Sequence, residues 1–131
     1  MKIISETAVI QAPVIAIFEF LSHSPNIECL LPADKISDFH GHELGCTFKV
    51  QGGFLISLLY VDVDPPLRIH MKSGEKAPFS YTLTVHLKEV DDQTEGHIEF
   101  IGDVNIFLKM MVEKPLIGLF NYMSDQLKEQ F

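Results

Sequence analysis

The stretch of residues 79–131 constrains the fold of this chain most strongly, because it predicts two consecutive strands followed directly by a long helix. Its first residues alternate apolar and polar side chains, which is the two-residue period of a strand with one buried face. Asp91-Asp92 then predicts a turn, and residues 94–102 predict a returning strand with Ile98 and Phe100 inward. The apolar face of the first of these strands carries Phe79, Tyr81, Leu83, Val85 and Leu87.

A long amphipathic helix is predicted after this hairpin, with Asp103 or Asn105 as its cap. Pro115 lies inside the helix and removes one backbone hydrogen bond, so we expect a kink near Met111. At 100° per residue, one apolar stripe occupies about a third of the circumference, and this face is expected to pack on the sheet. The stripe comprises Leu108, Val112, Leu116, Leu119, Phe120, Met123 and Leu127.

The first strand is predicted over residues 2–10, where polar and apolar side chains alternate. Ile4, Ala8 and Ile10 fall on one side of this strand, and Ser5 falls on the other. We therefore expect the three apolar residues to face the core.

Helices and further strands are predicted between this strand and the C-terminal hairpin. Pro13 can open a helix because the first helical position tolerates a missing N–H, and Ser24 can open a second short one. Gly52-Gly53 predicts a hairpin turn between two of the strands that follow. The predicted fold is one α+β domain over residues 1–131: a curved seven-stranded antiparallel sheet, with two short helices after strand 1, that wraps a long C-terminal helix. The middle strands are predicted over residues 35–40, 46–51, 54–63 and 68–72.

Composition narrows the classes of function. Ten basic against 18 acidic residues give a net charge of −8, and no basic cluster of the kind that binds nucleic acid is present. The same charge disfavours an anionic membrane as an electrostatic partner. Residues 1–12 lack the apolar core of an export signal, and Cys29 and Cys46 fit free thiols in a reducing compartment, so a cytoplasmic location is expected.

Segments spread over nearly the whole chain carry a family resemblance. They are Ala12-Pro13-Val14 with Ile17-Phe18 and Leu21, then Leu31-Pro32, Asp64-Pro65-Pro66-Leu67-Arg68, Pro78-Phe79-Ser80-Tyr81-Thr82-Leu83, and the run from Asn105 to Lys114-Pro115-Leu116. Together they resemble the START/Bet v 1-like helix-grip superfamily (SRPBCC), and within it the small polyketide cyclase-like and CoxG-like proteins. The resemblance implies the helix-grip fold and a cavity beneath the C-terminal helix. Members of this superfamily include lipid carriers, hormone receptors and cyclases, so it does not by itself imply one activity.

The sequence predicts an apolar ligand site between the sheet and the last helix, because a concave sheet leaves a hollow unless large side chains fill it. Equally, the same side chains can form an ordinary packed core, which the pattern alone does not separate from a cavity lining. Tyr81 is the sharpest candidate, since a buried phenol needs a polar partner and could orient a ligand carbonyl. The candidate ligand-binding residues are Phe48, Leu58, Met71, Phe79, Tyr81, Leu83, Phe100, Leu108 and Val112.

Phe107, Met110 and Met111 fall on the far side of the helical wheel, where polar residues are expected. Flexible apolar side chains there suit a lid over a cavity entrance, a subunit interface in a dimer, or a patch that touches a membrane. Alternatively, the expected kink or a neighbouring loop buries them.

Signals for metal binding and catalysis are weak. His40 and His42, with Cys46 close by, form one H-x-H pair at a predicted turn, and solvated turn histidines explain it better than a metal site. No nucleophile elbow or phosphate-binding loop occurs, so no catalytic residue, metal or cofactor is predicted. Glu6 is the one acidic residue considered as an inward-facing base.

The leading functional prediction is a carrier or sensor that binds a small apolar molecule, lipid-like or polyketide-like, between sheet and helix. One alternative is an enzyme of the polyketide cyclase/dehydratase kind, in which an inward acid or base abstracts a proton. Another is a CoxG-like accessory protein whose support is the patch of Phe107, Met110 and Met111. Whether an acid or base points into the interior separates the first two hypotheses.

Overall fold

The structure is a computed structural model that describes residues 1–50 and 54–131. The predicted Gly52-Gly53 turn lies outside these residues. The strands are β1 (Lys2–Ile4), β2 (Ala8–Ile10), β3 (Ile36–His42), β4 (Gly45–Val50), β5 (Phe54–Asp64), β6 (Arg68–Lys72), β7 (Ser80–Val90) and β8 (Gln93–Asp103). The helices are α1 (Val14–Leu21), a 3-10 helix over Ser24–Leu30, and α2 (Ile106–Glu129).

All the strands form one curved, unclosed antiparallel sheet in the order β1-β8-β7-β6-β5-β4-β3, and β2 pairs with β8 beside β1. Strands β3 to β8 are neighbours in the sheet in the same order as in the chain, as in a meander. The N-terminal strands β1 and β2 both pair with the free side of β8, at the edge opposite β3. The long helix α2 packs mainly against β2, β8 and the 3-10 helix. The α+β class and the sheet with its long C-terminal helix are therefore confirmed.

The sheet has eight strands where seven were predicted, because the first strand is interrupted. β1 and β2 both pair with β8, and Ser5 lies between them. The Ser5 hydroxyl is buried and accepts a hydrogen bond from the Ile98 N–H at 2.8 Å. The interruption shifts the alternation, so Ile3 is buried and Ile4 is 58% exposed. The predictions that Ile4 faces the core and Ser5 faces away from it were wrong for this reason.

Helix α2 presents the predicted apolar stripe to the sheet. Its Asn105 cap accepts a hydrogen bond from the Leu108 N–H at 2.9 Å, which satisfies one free donor of the first turn. Every member of the stripe is buried except Leu108, which is half-buried. The helix is continuous through Pro115, and the kink near Met111 stays a prediction. No helix within the described residues combines the length and apolar character required to cross a membrane.

Strand β5 is apolar on both faces because both faces are covered. Ile56, Ser57 and Leu58 are buried consecutively, which a strand with one wet face does not allow. On one side the chain between β6 and β7 covers the strand: a Cβ placed on Gly74 would lie 2.5 Å from the Ser57 Oγ. This explains why the sequence pattern could not assign an inward face to this strand.

Candidate functional site

The interior between the sheet and α2 contains the residues predicted to bind a ligand. Seven of the nine are at most 5% exposed, while Phe79 and Leu108 are half-buried. They come from five strands and the helix, as strand parity predicted. Their role in ligand binding stays a prediction, but their surroundings are now defined.

An aromatic cluster fills one end of this interior. The rings of Tyr81 and Phe100 have centroids 5.1 Å apart, and Phe100 lies 4.9 Å from Phe120 on α2. Phe79 completes the cluster with edge-on contacts to Tyr81 at 5.3 Å and Phe100 at 6.4 Å. These separations are those of directly packed aromatic rings, so no ligand-sized space remains between them.

Tyr81 has protein partners for its hydroxyl. The phenol donates a hydrogen bond to the Ser57 carbonyl at 3.0 Å and accepts one from the Ser57 N–H at 2.8 Å. Strand β6 ends at Lys72, opposite Leu59, so Ser57 lies beyond the end of its neighbouring strand. The phenol thus replaces the missing ladder partner, and burial raises the pKa of Tyr81 to about 12. These two hydrogen bonds explain why the Tyr81 hydroxyl is tolerated in the apolar interior. The hydroxyl does not need a ligand as its partner.

A small apolar cavity remains beneath the other end of α2, with a volume of about 20 Å³. That is room for about one water molecule, and the walls are apolar. Of the predicted ligand-binding residues, Leu58, Met71 and Leu83 line it. The interior is therefore close to fully packed.

Among the described residues, no Asp, Glu, Lys, Arg or His side chain is fully buried in the interior, although His97 borders the small cavity. Within the described ranges, the buried side chains that carry a hydroxyl are Ser5, Ser24, Ser57, Tyr81, Thr94 and Ser124. Every buried side-chain nitrogen or oxygen atom of those ranges has a hydrogen-bond partner. Glu6 is exposed, so its prediction as an inward-facing base was wrong.

A much larger space lies beside the interior, in a cleft between α2 and the end of the β3–β4 pair. Its volume is about 530 Å³, within the range of small-molecule sites. Ile36 at the start of β3 is paired with Val50 at the end of β4, and these two residues form one wall. The cleft is lined by Pro32, Asp34, Lys35, Ile36, Val50, Lys114, Pro115, Gly118, Leu119 and Tyr122.

The cleft has an apolar floor and an exposed rim. Pro32, Val50 and Leu119 are buried at its base, whereas Lys114 and Gly118 are exposed. A Cβ built on Gly118 would meet no other atom within 4 Å, so open space lies beside the helix backbone.

The cleft was not predicted from the sequence. The available signal was a glycine inside a predicted helix, three residues after a proline. Glycine weakens a helix relative to alanine, so its presence there indicates a packing or functional reason. The facing residues Ile36 and Val50 belong to strands whose distance from the helix no sequence pattern gives. The sequence could therefore indicate a site on α2, but it could not identify the strand residues that face it.

The second predicted cluster is exposed. Phe107, Met110 and Met111 are 78%, 77% and 72% exposed, and Ile106 beside them is 71% exposed. The alternative that a kink or a loop buries them was wrong. We call these four residues the α2 patch. Met111 lies one turn before Pro115, on the stripe that continues to Gly118 and Tyr122 of the cleft, so the patch adjoins the cleft along the helix.

The histidines of the H-x-H pair do not converge with the nearby cysteine. His40 and His42 are exposed on β3, whereas Cys46 on β4 is fully buried. Burial also raises the pKa of Cys46 to about 12, which makes it a poor metal ligand or nucleophile. In the part of the chain that the structure describes, no group of three or more His, Cys, Asp or Glu residues is arranged to hold a metal ion.

A polar cluster on the outer face of β7 and β8 was not predicted. The rings of His86 and His97 stack with centroids 4.8 Å apart, and His86 Nε2 lies 3.0 Å from Glu99 Oε1. Lys2 Nζ lies 3.3 Å from the other Glu99 oxygen. Hydrogen bonds from His86 and Lys2 lower the pKa of Glu99, and desolvation together with the neighbouring His86 lowers the pKa of His97. Cross-strand pairing brings these residues together, which the sequence alone does not reveal.

Many solved structures share this fold. The KanY protein matches with a TM-score of 0.78 and 15% identity, over 99% of this chain and 96% of that one. XoxI from Bacillus cereus matches with a TM-score of 0.76 and 13% identity, over 99% and 94% of the two chains. Protein CV1439 from Chromobacterium violaceum matches with a TM-score of 0.71 and 16% identity, over 98% and 95%. At these identities the likeness shows the fold alone. No family model and no curated protein matches the chain.

Proposed function

We propose that the protein is a carrier or sensor that binds a small, mainly apolar molecule between its sheet and its C-terminal helix, with the cleft beside α2 as the binding site. The observation that carries this proposal is the cleft itself, about 530 Å³ in volume with a buried apolar floor. Apolar burial there provides affinity at roughly 25 cal/mol per Å² of area removed from water, before the cost of association.

The difference in volume between the interior and the cleft supports the cleft as the proposed binding site. The space beneath the helix is about 20 Å³, against about 530 Å³ in the cleft. A drug-sized or lipid-like molecule fits the second and not the first. The aromatic cluster of Phe79, Tyr81, Phe100 and Phe120 packs α2, which forms one side of the cleft, against the sheet.

The resemblance to the START/Bet v 1-like helix-grip superfamily supports the same proposal. The chain shares a sheet that wraps a long C-terminal helix with its structural neighbours, which is the architecture of that superfamily. In this proposal the chain is a helix-grip protein that binds its ligand in the cleft beside α2 rather than in the interior between α2 and the sheet.

Filling the cleft tests the proposal. Gly118→Phe places a ring in the open space beside α2, while Gly118→Ala adds a single methyl group and serves as the matched control. The neutral fluorophore N-phenyl-1-naphthylamine is the probe. We expect saturable binding to wild type and Gly118→Ala, and at least tenfold weaker binding to Gly118→Phe, because one ring excludes most of the apolar contact. Equal binding to all three proteins, or no saturable binding at all, contradicts the proposal.

A second candidate function, that of an interaction or accessory protein, is favoured by the exposure of the α2 patch. Four adjacent large apolar side chains that are each more than 70% exposed are uncommon on a surface without a partner. Vesicles of zwitterionic phosphatidylcholine and size-exclusion chromatography test this candidate with Met110→Glu. Leu44→Glu is the control, because Leu44 is 69% exposed in the turn between β3 and β4. Loss of flotation or of a dimer in Met110→Glu alone supports it, and identical behaviour of both variants and wild type contradicts it.

A further inference from the structure

We infer that the cleft selects an amphipathic anion, whose apolar body lies on the cleft floor and whose carboxylate is held by Lys35 and Lys114. The inference rests on the proposed function and specifies the class of ligand. It follows from the charges that line the cleft, from their lack of partners, and from the apolar base on which they stand.

The charged residues on the described walls of the cleft are Asp34, Lys35 and Lys114. The two lysines belong to different segments that line the cleft: Lys35 precedes β3, and Lys114 lies on α2. A protein with a net charge of −8 therefore places two cations against one acid at this site. A local excess of positive charge in an acidic protein favours an anionic ligand there.

Neither lysine is neutralised by the protein within residues 1–50 and 54–131. The ion pairs found there engage Lys2, Lys49, Arg68, Lys109 and Lys128, and in none of them do Lys35 or Lys114 lie within 4.0 Å of a carboxylate. Lys109, one turn before the cleft on the same helix, is paired with Glu113 at 3.7 Å. Lys114, five residues further along the helix, therefore has no carboxylate partner among the described residues.

The placement of the lysines fits an amphiphile better than a small inorganic anion. A lysine has a four-carbon stem that packs on apolar surface and an ammonium group that stays in water. Pro32, Val50 and Leu119 supply that apolar surface at the base of the cleft. The ligand is then matched in two parts, with its chain on the floor and its carboxylate at the rim between the two stems.

Asp34 argues for the competing class, an apolar amine. One carboxylate on the same rim could hold a cation, yet it is outnumbered by the two lysines. The affinity for decylamine is therefore measured in the same experiment. Neutralising the two lysines should weaken the binding of an anionic ligand and strengthen the binding of a cationic one.

The experiment compares decanoate, decanol and decylamine, three ligands with the same chain, by titration calorimetry at pH 7. The proteins are wild type, the double variant Lys35→Gln/Lys114→Gln, and Lys88→Gln as a control, since Lys88 lies outside the cleft and has no ion pair with the described residues. We expect the ratio of decanoate to decanol affinity to fall roughly three- to tenfold in the double variant, as for two partly exposed ion pairs. The ratio should stay unchanged in Lys88→Gln, and 1 M NaCl should reduce it in wild type.

Three results overturn the inference while leaving the proposed function in place: an unchanged ratio in the double variant, an equal fall in Lys88→Gln, or tighter binding of decylamine than of decanoate to wild type. If none of the three ligands binds to wild type, the proposed function itself fails and the inference fails with it. Gly118→Phe separates the site from the rest of the surface, because it should weaken decanoate and decanol equally.

Discussion

The hydroxyl of Tyr81 holds both backbone groups of Ser57, donating to its carbonyl at 3.0 Å and accepting from its N–H at 2.8 Å. A side chain of β7 thereby replaces the strand that β5 lacks beyond the end of β6. Both residues are buried, so the two bonds are shielded from water. The relationship anchors the middle of the sheet and supplies the first prediction.

Tyr81→Phe should lower the free energy of unfolding by about 1–3 kcal/mol, because it leaves the Ser57 N–H and carbonyl buried without partners. Urea unfolding measures the change. Tyr122→Phe is the control, since Tyr122 is 39% exposed on the cleft rim and its hydroxyl has no hydrogen bond to the described residues. If both variants lose the same amount, the Tyr81 hydroxyl has no special role.

Two glycine-to-alanine substitutions should change stability in opposite directions. A Cβ on Gly102 would lie 3.0 Å from the Phe79 ring and 3.2 Å from the Phe100 ring, so Gly102→Ala overpacks the aromatic cluster and should cost about 1–3 kcal/mol. Gly118→Ala meets no atom within 4 Å and should stabilise α2 by about 1 kcal/mol through helix propensity. Thermal unfolding of the two variants measures both. Stabilisation by Gly102→Ala would show that the cluster is loosely packed.

The interruption between β1 and β2 is attached to α2, and this attachment should be measurable. Ser124 Oγ donates to the Glu6 carbonyl at 2.7 Å, and the Glu6 N–H donates to Asn121 Oδ1 at 2.8 Å. Ser124→Ala should therefore cost about 1 kcal/mol of unfolding free energy, whereas Glu6→Gln leaves these backbone bonds intact and should be neutral. Chemical unfolding tests both. A large effect of Glu6→Gln would restore a role for its side chain.

Stability should fall on acidification because the pKa values of His97 and Glu99 are lowered in the folded state. The folded state lowers the pKa of His97 from its ordinary 6.5, so the unfolded chain takes up the proton first as pH falls through that value. Glu99 acts in the same direction at lower pH, because its lowered pKa contributes stability that is present above 4.5 and lost below it. His97→Gln should flatten the first loss, while His40→Gln on β3 should leave it unchanged. Unfolding profiles over roughly pH 7 to 5 decide the matter, and identical profiles for His97→Gln and wild type contradict it.

The strands and helices with one buried face are predictable from the sequence, because burial of one face produces a periodic pattern of apolar residues. Tyr81, Leu83, Val85 and Leu87 alternate and are buried, and the apolar stripe of α2 faces the core. The exposure of Phe107, Met110 and Met111 follows from the same wheel.

Features that depend on contacts between distant segments are not predictable in this way. Ser5 is buried because its hydroxyl replaces a ladder bond to Ile98, and no local pattern announces that exchange. The packed interior depends on how the rings of Tyr81, Phe100 and Phe120 fill a common space. The cleft likewise depends on the distance between α2 and the Ile36–Val50 pair, which only the folded chain sets.

An amide-resolved NMR titration of the protein with decanoate tests ligand binding in the cleft most directly. We predict saturable chemical-shift changes at Ile36, Val50, Gly118 and Leu119, with amides of the buried Leu83 and Phe100 unaffected. Changes centred on Leu83 and Phe100 would place the ligand in the interior and contradict binding in the cleft. Saturation without any change at Gly118 would contradict it equally.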